Sequence, residues 1–402
     1  MLYLLVAYLR SLHNIPGLGV MKYISFRSSV TAVISMIATI YFCKKMITYF
    51  NKHKVCDPIR DLGLPGQAQK EIPSMGGLVI LLVTLTTTLL LADITNVYVW
   101  LLMLTMTLSG ALGFCDDYIK LYRHDKRGLS PMKKITVQLV IGCIVGLVMI
   151  SHQGVHVKKI SKYDYQKTIT SCYDATDNIS NELITSVPFL KNNELSYNKL
   201  FSFLGDKYYL LFIVLVTLII VSTANAVNLS DGLDGLAIGL SIIVITVLCI
   251  IAYLTGHIDF ASYLNILYIP NFSEISIFCS ALIFSCIGFM WYNSYPAQIF
   301  LGDTGSMMLG TTIAVLAIIA RKELLLPMVC GTFVIETLSV ILQVTYFKYT
   351  KRKFGTGKRI FLMSPLHHHF QILNIPEPKI VTRFIIAGII CGMLTLMTLK
   401  LQ

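Results

Sequence analysis

Charged residues are scarce in this chain. Asp, Glu, Lys and Arg make up 13% of its 402 residues, 55% are hydrophobic, and the mean hydropathy is +0.70. A soluble domain of this size needs more polar surface to stay in solution, so that class of protein is excluded. Residues 1–24 also lack the pattern of a removable signal peptide, because Arg10, His13, Pro16 and Lys22 interrupt them. We expect an integral membrane protein whose first span serves in targeting.

Paired cysteines and nucleotide-binding loops are absent as well. The ten cysteines form no C-x-x-C pair, and most lie in apolar runs, so neither disulfides nor a zinc site are expected. The sequence has no G-x-x-x-x-G-K-[ST] loop, which excludes a P-loop ATPase. The net charge of +12 is not evidence for a nucleic-acid partner, because basic residues collect in the cytoplasmic loops of multispan proteins.

Apolar runs are abundant. A membrane-spanning helix needs roughly 20 largely apolar residues. The candidate spans are about 28–49, 74–92, 97–115, 135–151, 208–224, 235–256, 275–292, 304–320, 324–347 and 380–399. They predict an all-α, polytopic fold with about ten transmembrane helices in one domain over residues 1–402.

Lys and Arg are distributed unevenly among the connections. They are frequent after spans one, three and nine, whereas residues 93–96 and 257–274 contain none. The positive-inside rule therefore predicts cytoplasmic odd-numbered connections and two extracytoplasmic termini. Residues 152–207 contain lysines but are long, so their charge carries little weight. We expect them to form a poorly ordered extracytoplasmic insertion.

Four polar clusters follow the apolar runs at regular intervals. Each is separated from the next by two spans, so all four are expected on the cytoplasmic side, as a site requires. They are "GFCDDYIK" at 113–120, "NAVNLSDGLDGLA" at 225–237, "YPAQIFLGDTGS" at 295–306 and "SPLHHHF" at 364–370.

The aspartates of these clusters allow two interpretations each. Asp116 and Asp117 are neighbours on a helix and point about 100° apart, so one could bind a metal while the other acts as a base. Alternatively, Asp117 pairs with Lys120 as ordinary surface electrostatics. Asp303 begins span eight, where a helix N-terminus favours anionic groups, but it could equally be a simple N-cap.

The amides and further carboxylates recur at helical spacing. Asn225, Asn228, Asp231 and Asp234 occur every third residue, which brings their side chains onto overlapping faces of a helical turn. A polar turn between spans is the alternative. This spacing favours a ligand site, because a plain turn does not need four such residues in register.

Two polar groups remain. His367, His368 and His369 are consecutive and do not easily ligate one metal, so we expect one or two to face a phosphate-rich site, with a surface run as the alternative. Glu336 and Gln343 share one face of span nine, where an ionisable group is either functional or a buried contact between helices.

Together these groups indicate hard-cation chemistry. Carboxylate and amide oxygens without thiolates suit Mg²⁺, which is held by one or two carboxylates and substrate phosphates. Mg²⁺ with phosphates indicates phosphoryl transfer, in which the protein positions groups and neutralises charge.

The ordered motifs resemble those of the bacterial phospho-N-acetylmuramoyl-pentapeptide transferase family, in the polyprenyl-phosphate N-acetylhexosamine-1-phosphate transferase superfamily. The resemblance covers nearly the whole chain. It rests on "PSMGG" 73–77, "DDYIK" 116–120, "NAVNLSDGLDGLA" 225–237, "NSYPAQIFLGDTGS" 293–306, "ETLSVILQV" 336–344 and "PLHHHF" 365–370. The chain departs from the family at "QKEIPS", where a more basic approach is usual, and in an insertion at 152–187 that is longer than the family's loop.

The resemblance implies transfer of phospho-MurNAc-pentapeptide from its UDP carrier to undecaprenyl phosphate, forming lipid I and UMP with Mg²⁺. It makes Asp116, Asp117 and Asp303 the essential carboxylates and His367 the essential histidine. Asp303 would be the Mg²⁺ ligand, and Asp117 the base, unless Asp116 shares that role. The implied substrate-binding residues are Lys70, Asn225, Asn228, Asp231, Asp234, Asn293, Phe300, Gln343 and His368.

The same resemblance implies a homodimer in the bacterial inner membrane with its active site on the cytoplasmic side. A relative that transfers GlcNAc-1-phosphate to the same lipid is the alternative enzyme, and the histidine run favours the first. A transporter would place its ionisable residues near mid-span. Here they lie at the ends of spans, which argues against transport. A purely structural membrane protein has no reason to collect these residues on one face.

Overall fold

The computed structural model describes residues 3, 6, 18–53, 72–123, 128–152, 154–155, 157–158, 179–180, 183–187, 194–202 and 207–400. Lys70 lies outside them. The ten long helices are α1 Ile24–His53, α2 Gly77–Leu91, α3 Val97–Tyr122, α4 Pro131–Ser151, α5 Tyr208–Leu229, α6 Leu236–Thr255, α7 Ile275–Asn293, α8 Gly302–Ile319, α9 Gly331–Phe354 and α10 Glu377–Thr398. Short helical segments are Leu18–Lys22, Tyr197–Leu200, Ile258–Leu264, Phe272–Glu274, Glu323–Leu325, Leu326–Val329 and Leu366–Ile372.

The all-α, multi-pass membrane fold is confirmed. Among the described residues, eight helices are long and apolar enough to cross a membrane, and α9 with the preceding Glu323–Val329 makes a ninth. The remaining predicted span is α2, whose 15 residues fall short of a full crossing. The residues before Gly77 are not helical, and their backbone bonds to the loop before α8 instead.

The span predicted at 324–347 is broken. The chain turns by 80° between Glu323–Val329 and Gly331–Phe354. A β-carbon at Gly331 would lie 2.7 Å from Cys391 Sγ, so the break sits tightly against α10. Hydropathy does not reveal the bend, because the residues on both sides of it are apolar.

Helix α8 forms the centre of the bundle. Every residue from Thr304 to Ile319 is buried, in contact mainly with α3 and α5. At Gly310 a β-carbon would lie 2.7 Å from Ala224 Cα, so the lack of a side chain allows α5 to approach. In α1, α4 and α10, by contrast, only about a third of each helix's most apolar stretch is buried. These outer helices present apolar faces to lipid, as a membrane fold requires.

A buried ion pair joins three helices at the end of the bundle where α1 begins. Arg27 Nη2 donates to Glu274 Oε2 at 2.9 Å, and Nη1 donates to Glu274 Oε1 at 2.5 Å and to the Leu91 carbonyl at 3.2 Å. The Asp93 amide also donates to Glu274 Oε1, at 2.6 Å. The pair therefore holds the start of α1 to the end of α2 and the start of α7.

Replacing Arg27 with Ala should lower the thermal stability of the protein and leave the structure of the opposite end of the bundle unchanged. The change leaves the Glu274 carboxylate buried without its cation, which costs about 3–5 kcal/mol. We expect a lower midpoint of thermal unfolding in detergent. The double substitution R27M/E274M should regain much of the loss, because it removes both charges. An unchanged midpoint for R27A would contradict this account.

Part of the segment 152–207 packs against the bundle. Strand β1 (Val157–Lys158) pairs with β2 (Ile179–Ser180), and β3 (Ile184–Ser186) pairs antiparallel with β4 (Glu194–Ser196). The Arg321 carbonyl accepts hydrogen bonds from the Ser186 amide and the Thr185 hydroxyl, both at 3.1 Å. Tyr197 donates to Glu323 at 2.6 Å. Strands β3 and β4 therefore have defined contacts with the bundle within a segment that was expected to be poorly ordered.

Candidate active site

Three aspartates from two helices converge at one end of the bundle. Asp116 and Asp117 lie in the last turns of α3, and Asp303 is the second residue of α8. Each offers a carboxylate oxygen, and these atoms lie within 4.8 Å of one another. The sequence predicted that they would share a side of the membrane, and the structure brings them into one cluster.

Two glycines allow this convergence. A β-carbon at Gly113 of α3 would lie well inside van der Waals distance of the Asp303 carbonyl, and one at Gly77 of α2 would similarly overlap the Gly305 amide. The "PSMGG" segment is further joined to the α8 approach by hydrogen bonds from the Gly76 amide to the Phe300 carbonyl and from Gly77 to Leu301, both at 2.9 Å. Backbone-to-backbone packing thus fixes the position of the α8 N-terminus.

Asp117 is the cap of α8, supplied from another helix. Its Oδ1 accepts from the Asp303 amide at 3.0 Å, and its Oδ2 accepts from the Thr304 amide at 2.9 Å and the Thr304 hydroxyl at 2.6 Å. These amides belong to the helix N-terminus that otherwise lacks partners. The alternative in which Asp117 pairs with Lys120 is therefore wrong, and Asp303 is not the cap of its own helix.

Two lysines bridge the other two carboxylates. Lys120 Nζ lies 2.5 Å from Asp116 Oδ2 and 3.0 Å from Asp303 Oδ2. Lys134 Nζ, from α4, lies 3.0 Å and 2.6 Å from the same two oxygens. The Leu129 amide donates to the other oxygen of Asp116 at 2.6 Å. Asp116 and Asp303 therefore share two cations, while Asp117 is occupied by backbone donors.

Gly128 lies against the Asp116 side chain and allows the hydrogen bond from the Leu129 amide to Asp116. Gly128 has a φ of +60°, and a β-carbon there would lie 2.5 Å from Asp116 Oδ1. We expect G128A to strain the backbone and displace Asp116, lowering the transferase activity that the resemblance implies about tenfold, while leaving thermal unfolding nearly unchanged. Gly355 also has a positive φ but has no atom within 4 Å of such a β-carbon, so G355A controls for backbone strain alone. Equal activities of the two variants would contradict the role of this contact.

The "NAVNLSDGLDGLA" cluster ends α5 and continues into the turn before α6. Asp231 lies in this turn, half-buried and near the aspartate cluster. Burial, and then the charges of Asp303, Asp117 and Asp234, raise the pKa of Asp231 to about 8. The substrate-binding role implied for Asp231 stays a prediction.

Asp234 and Asn293 instead connect loops. Asp234 Oδ2 accepts from the Ala297 amide at 2.9 Å, while its own amide donates to Glu377 at 2.8 Å. The Asn293 side chain accepts from the Gly235 amide at 3.2 Å and donates to the Ile299 carbonyl at 2.9 Å. Both residues hold the turn in place, rather than reaching into the carboxylate cluster.

The two asparagines predicted to bind substrate lie in the last turns of α5. Asn225 donates to the Gln138 side chain of α4 at 3.0 Å and to the Val221 carbonyl at 2.7 Å. The Asn228 carbonyl accepts from the Asp231 amide at 3.2 Å, and its side chain is half-buried. Phe300, in the α8 approach, is half-buried as well.

The three histidines point to different partners. His368 Nδ1 lies 2.7 Å from Gln371 Oε1, and His369 Nδ1 accepts from the Leu362 amide at 3.2 Å. His367 is fully buried, with its Nδ1 3.2 Å from Glu336 Oε2. This agrees with the expectation that the run does not ligate one metal together.

The side-chain amide of Gln343 makes hydrogen bonds to the loop that contains Ile360 and Phe361. Its Oε1 accepts from the Ile360 and Phe361 amides, both at 3.0 Å, and its Nε2 donates to the Phe361 carbonyl at 3.1 Å. It supports the loop before the histidines, which is a different task from the direct substrate contact implied by the resemblance.

Sequence reasoning missed several residues of the site. The sequence predicted Lys120 only as a possible partner of Asp117. Lys134 was only one of the basic residues after span three that indicate the topology. The spacing of Lys120 four residues after Asp116 was the available signal, because such residues are neighbours on a helix. No local pattern identifies Lys134, since its partners lie on α3 and α8.

The residues present fit a divalent cation. The donors are carboxylate oxygens, which hard cations prefer, and they approach one another closely enough to share an ion. Asp303 and Asp116 are the ligands that fit best, because the oxygens of Asp117 already accept three hydrogen bonds from the α8 N-terminus.

Comparison with known proteins identifies the family of this chain. Residues 99–321 match the model of glycosyl transferase family 4. Proteins named phospho-N-acetylmuramoyl-pentapeptide-transferase align over the full length of both chains, with 48% identity in Amoebophilus asiaticus, 46% in Flavobacterium psychrophilum and 43% in Chloroherpeton thalassium. The chain therefore belongs to glycosyl transferase family 4 and, within it, to the phospho-N-acetylmuramoyl-pentapeptide-transferases.

Proposed function

We propose that this protein transfers phospho-MurNAc-pentapeptide from its UDP carrier to undecaprenyl phosphate, forming lipid I and releasing UMP in peptidoglycan synthesis. The observation that carries the proposal is the buried aspartate cluster with its two bridging lysines. Its carboxylates suit a cation, and its ammonium groups suit phosphates, so one site offers both kinds of charge that a diphosphate reaction requires.

Mg²⁺ is the proposed cofactor, held by Asp303 and Asp116. When bound, it would neutralise charge on the diphosphate of the nucleotide sugar. Lys120 and Lys134 would then bind phosphate oxygens, because the cation would compete for the carboxylates that they contact in this structure. Asp117 would hold the α8 N-terminus, and so Asp303, in position.

The acceptor phosphate would attack the phosphorus attached to the sugar. A new oxygen–phosphorus bond forms as the bond from this phosphorus to the UMP oxygen breaks, and UMP leaves with that electron pair. Any proton on the acceptor phosphate must be accepted by a nearby base. Asp117 is proposed for this role, because Asp116 would hold the cation, whereas Oδ1 of Asp117 accepts one hydrogen bond and keeps a lone pair.

The nucleotide sugar would bind beside the cluster, against the turn after α5. Asp231, Asn228 and Phe300 are proposed to line this site directly. Asn225, Asp234, Asn293, Gln343 and His368 are proposed to support it through the contacts described above, and Lys70 is proposed to contribute a further positive charge. We also propose a homodimer in the inner membrane, with this site on the cytoplasmic side.

The test is UMP release by the detergent-purified protein with undecaprenyl phosphate and Mg²⁺. UDP-MurNAc-pentapeptide and UDP-GlcNAc are offered in separate reactions. We expect release with the first substrate alone, and loss of release when EDTA removes the metal. Release with UDP-GlcNAc alone would assign the GlcNAc-1-phosphate reaction instead. Uridine-nucleotide flux into liposomes without UMP release would indicate a transporter.

A further inference from the structure

A buried carboxylate and a buried imidazole lie behind the proposed nucleotide site. Glu336 is on the inner face of α9 and His367 is in the short helix Leu366–Ile372, and both side chains are fully excluded from solvent. Glu336 Oε2 lies 3.2 Å from His367 Nδ1. Among the described residues, none of the carboxylate oxygens and ring nitrogens of this pair completes a hydrogen bond, so the pair is held in this structure by proximity of the two groups.

A pair like this is costly to bury. An isolated carboxylate or imidazole loses its hydration on burial, and only a partner offsets the cost. Glu336 therefore depends on His367, and His367 on Glu336. This pairing also selects the proton position, because a carboxylate at Nδ1 favours a proton there and leaves Nε2 as the acceptor.

The other edge of the imidazole touches the turn after α5. A β-carbon at Gly232 would lie well inside van der Waals distance of His367 Nε2, so the ring lies directly against this glycine. Gly232 follows Asp231, which is proposed above to line the nucleotide site. His367 is fully buried, and its ring also packs edge to face on His368, with ring centroids 4.3 Å apart.

We propose that Glu336 is a positioning residue, which orients His367 and thereby supports the Asp231–Gly232 turn for binding the nucleotide substrate. This inference rests on the proposed function. It assigns His367 to the same support, rather than to direct contact with the reacting atoms. At 3.2 Å, a small rotation of the ring lets Glu336 Oε2 accept from an Nδ1–H, so a neutral acceptor of the same shape should replace it.

Two substitutions with side chains of similar volume distinguish the loss of the acceptor oxygen from the loss of packing. E336Q keeps an oxygen near Nδ1, whereas E336M removes it without opening a cavity. Ser339 provides a matched control on the same buried face, since its hydroxyl donates to the Glu336 carbonyl of its own helix at 2.6 Å. S339A should therefore leave turnover within about twofold of the unsubstituted protein.

The measurement is steady-state UMP release, with KM determined separately for the nucleotide sugar and for the lipid. We expect E336M to raise the KM for the nucleotide sugar about 10- to 100-fold, the range typical of lost orienting contacts, with the KM for the lipid unchanged. E336Q should stay within about threefold. A merely structural role would reduce the active fraction, lowering kcat while both KM values stay constant.

Three results would overturn the inference: E336M with an unchanged nucleotide KM, E336M with only a reduced kcat, or E336Q as impaired as E336M. Failure of the proposed function is recognised separately, because the unsubstituted protein itself would then release no UMP from UDP-MurNAc-pentapeptide.

Discussion

D303N should reduce UMP release about 1,000-fold, the scale on which enzymes lose activity when a group that stabilises developing charge is removed. The amide keeps the shape of the side chain but loses the charge that meets both Lys120 and Lys134 at Oδ2. It also loses the cation ligand proposed at the α8 N-terminus. The two lysines would then have only Asp116 as a carboxylate partner in the cluster.

The measurement is UMP release across a Mg²⁺ titration, with thermal unfolding recorded in parallel. D303N should fail to recover activity at high Mg²⁺, and its unfolding midpoint should change little, because the Asp303 side chain is not needed for the α8 cap. Asp259, exposed on the segment after α6, provides the matched control D259N. Activity of D303N within tenfold of D259N would refute the central role of Asp303.

G113A is expected to reduce UMP release about 100-fold. The added methyl group would overlap the Asp303 carbonyl, so α3 and α8 must move apart. Displacements of about 1 Å in a positioned site can cost this much in rate. The carboxylates themselves remain present, so any loss reports on their geometry.

Gly110 provides the control on the same helix. There a β-carbon would meet Leu81 Cδ2 at 2.9 Å, and this atom is the free end of a flexible side chain that can rotate away. G110A should therefore retain activity within about threefold, since small overpacking is absorbed locally. If G110A and G113A lose activity equally, close approach of α3 to the α8 N-terminus is not what positions the cluster.

Much of this architecture could be predicted from the sequence because lipid restricts the choices. A chain of apolar runs must form helices, and counting spans places Asp116 and Asp303 on one side. Counting spans gives no information about the path that each helix takes through the bundle. For this reason the bend after Val329 and the shortness of α2 were not predicted.

The roles of individual side chains were harder to predict because they depend on partners distant in sequence. Nothing near Asp117 indicates that it caps α8, since the capping amides belong to Asp303 and Thr304. Asp234 and Asn293 carry the residue types of a ligand site but bond to neighbouring loops. Spacing can identify which residues gather near the site, whereas the direction of each side chain follows from tertiary packing.

Because α8 is covered by protein along its length, it is separated from the bilayer itself. A thicker or thinner membrane acts on the helices that touch lipid, which tilt or draw lipid around them at a modest cost per ångström. In this protein that adjustment falls on α1, α4 and α10, in which only about a third of the most apolar stretch is buried in protein. The helix that carries Asp303 can therefore keep its register while the outer layer adapts to lipids of different chain length.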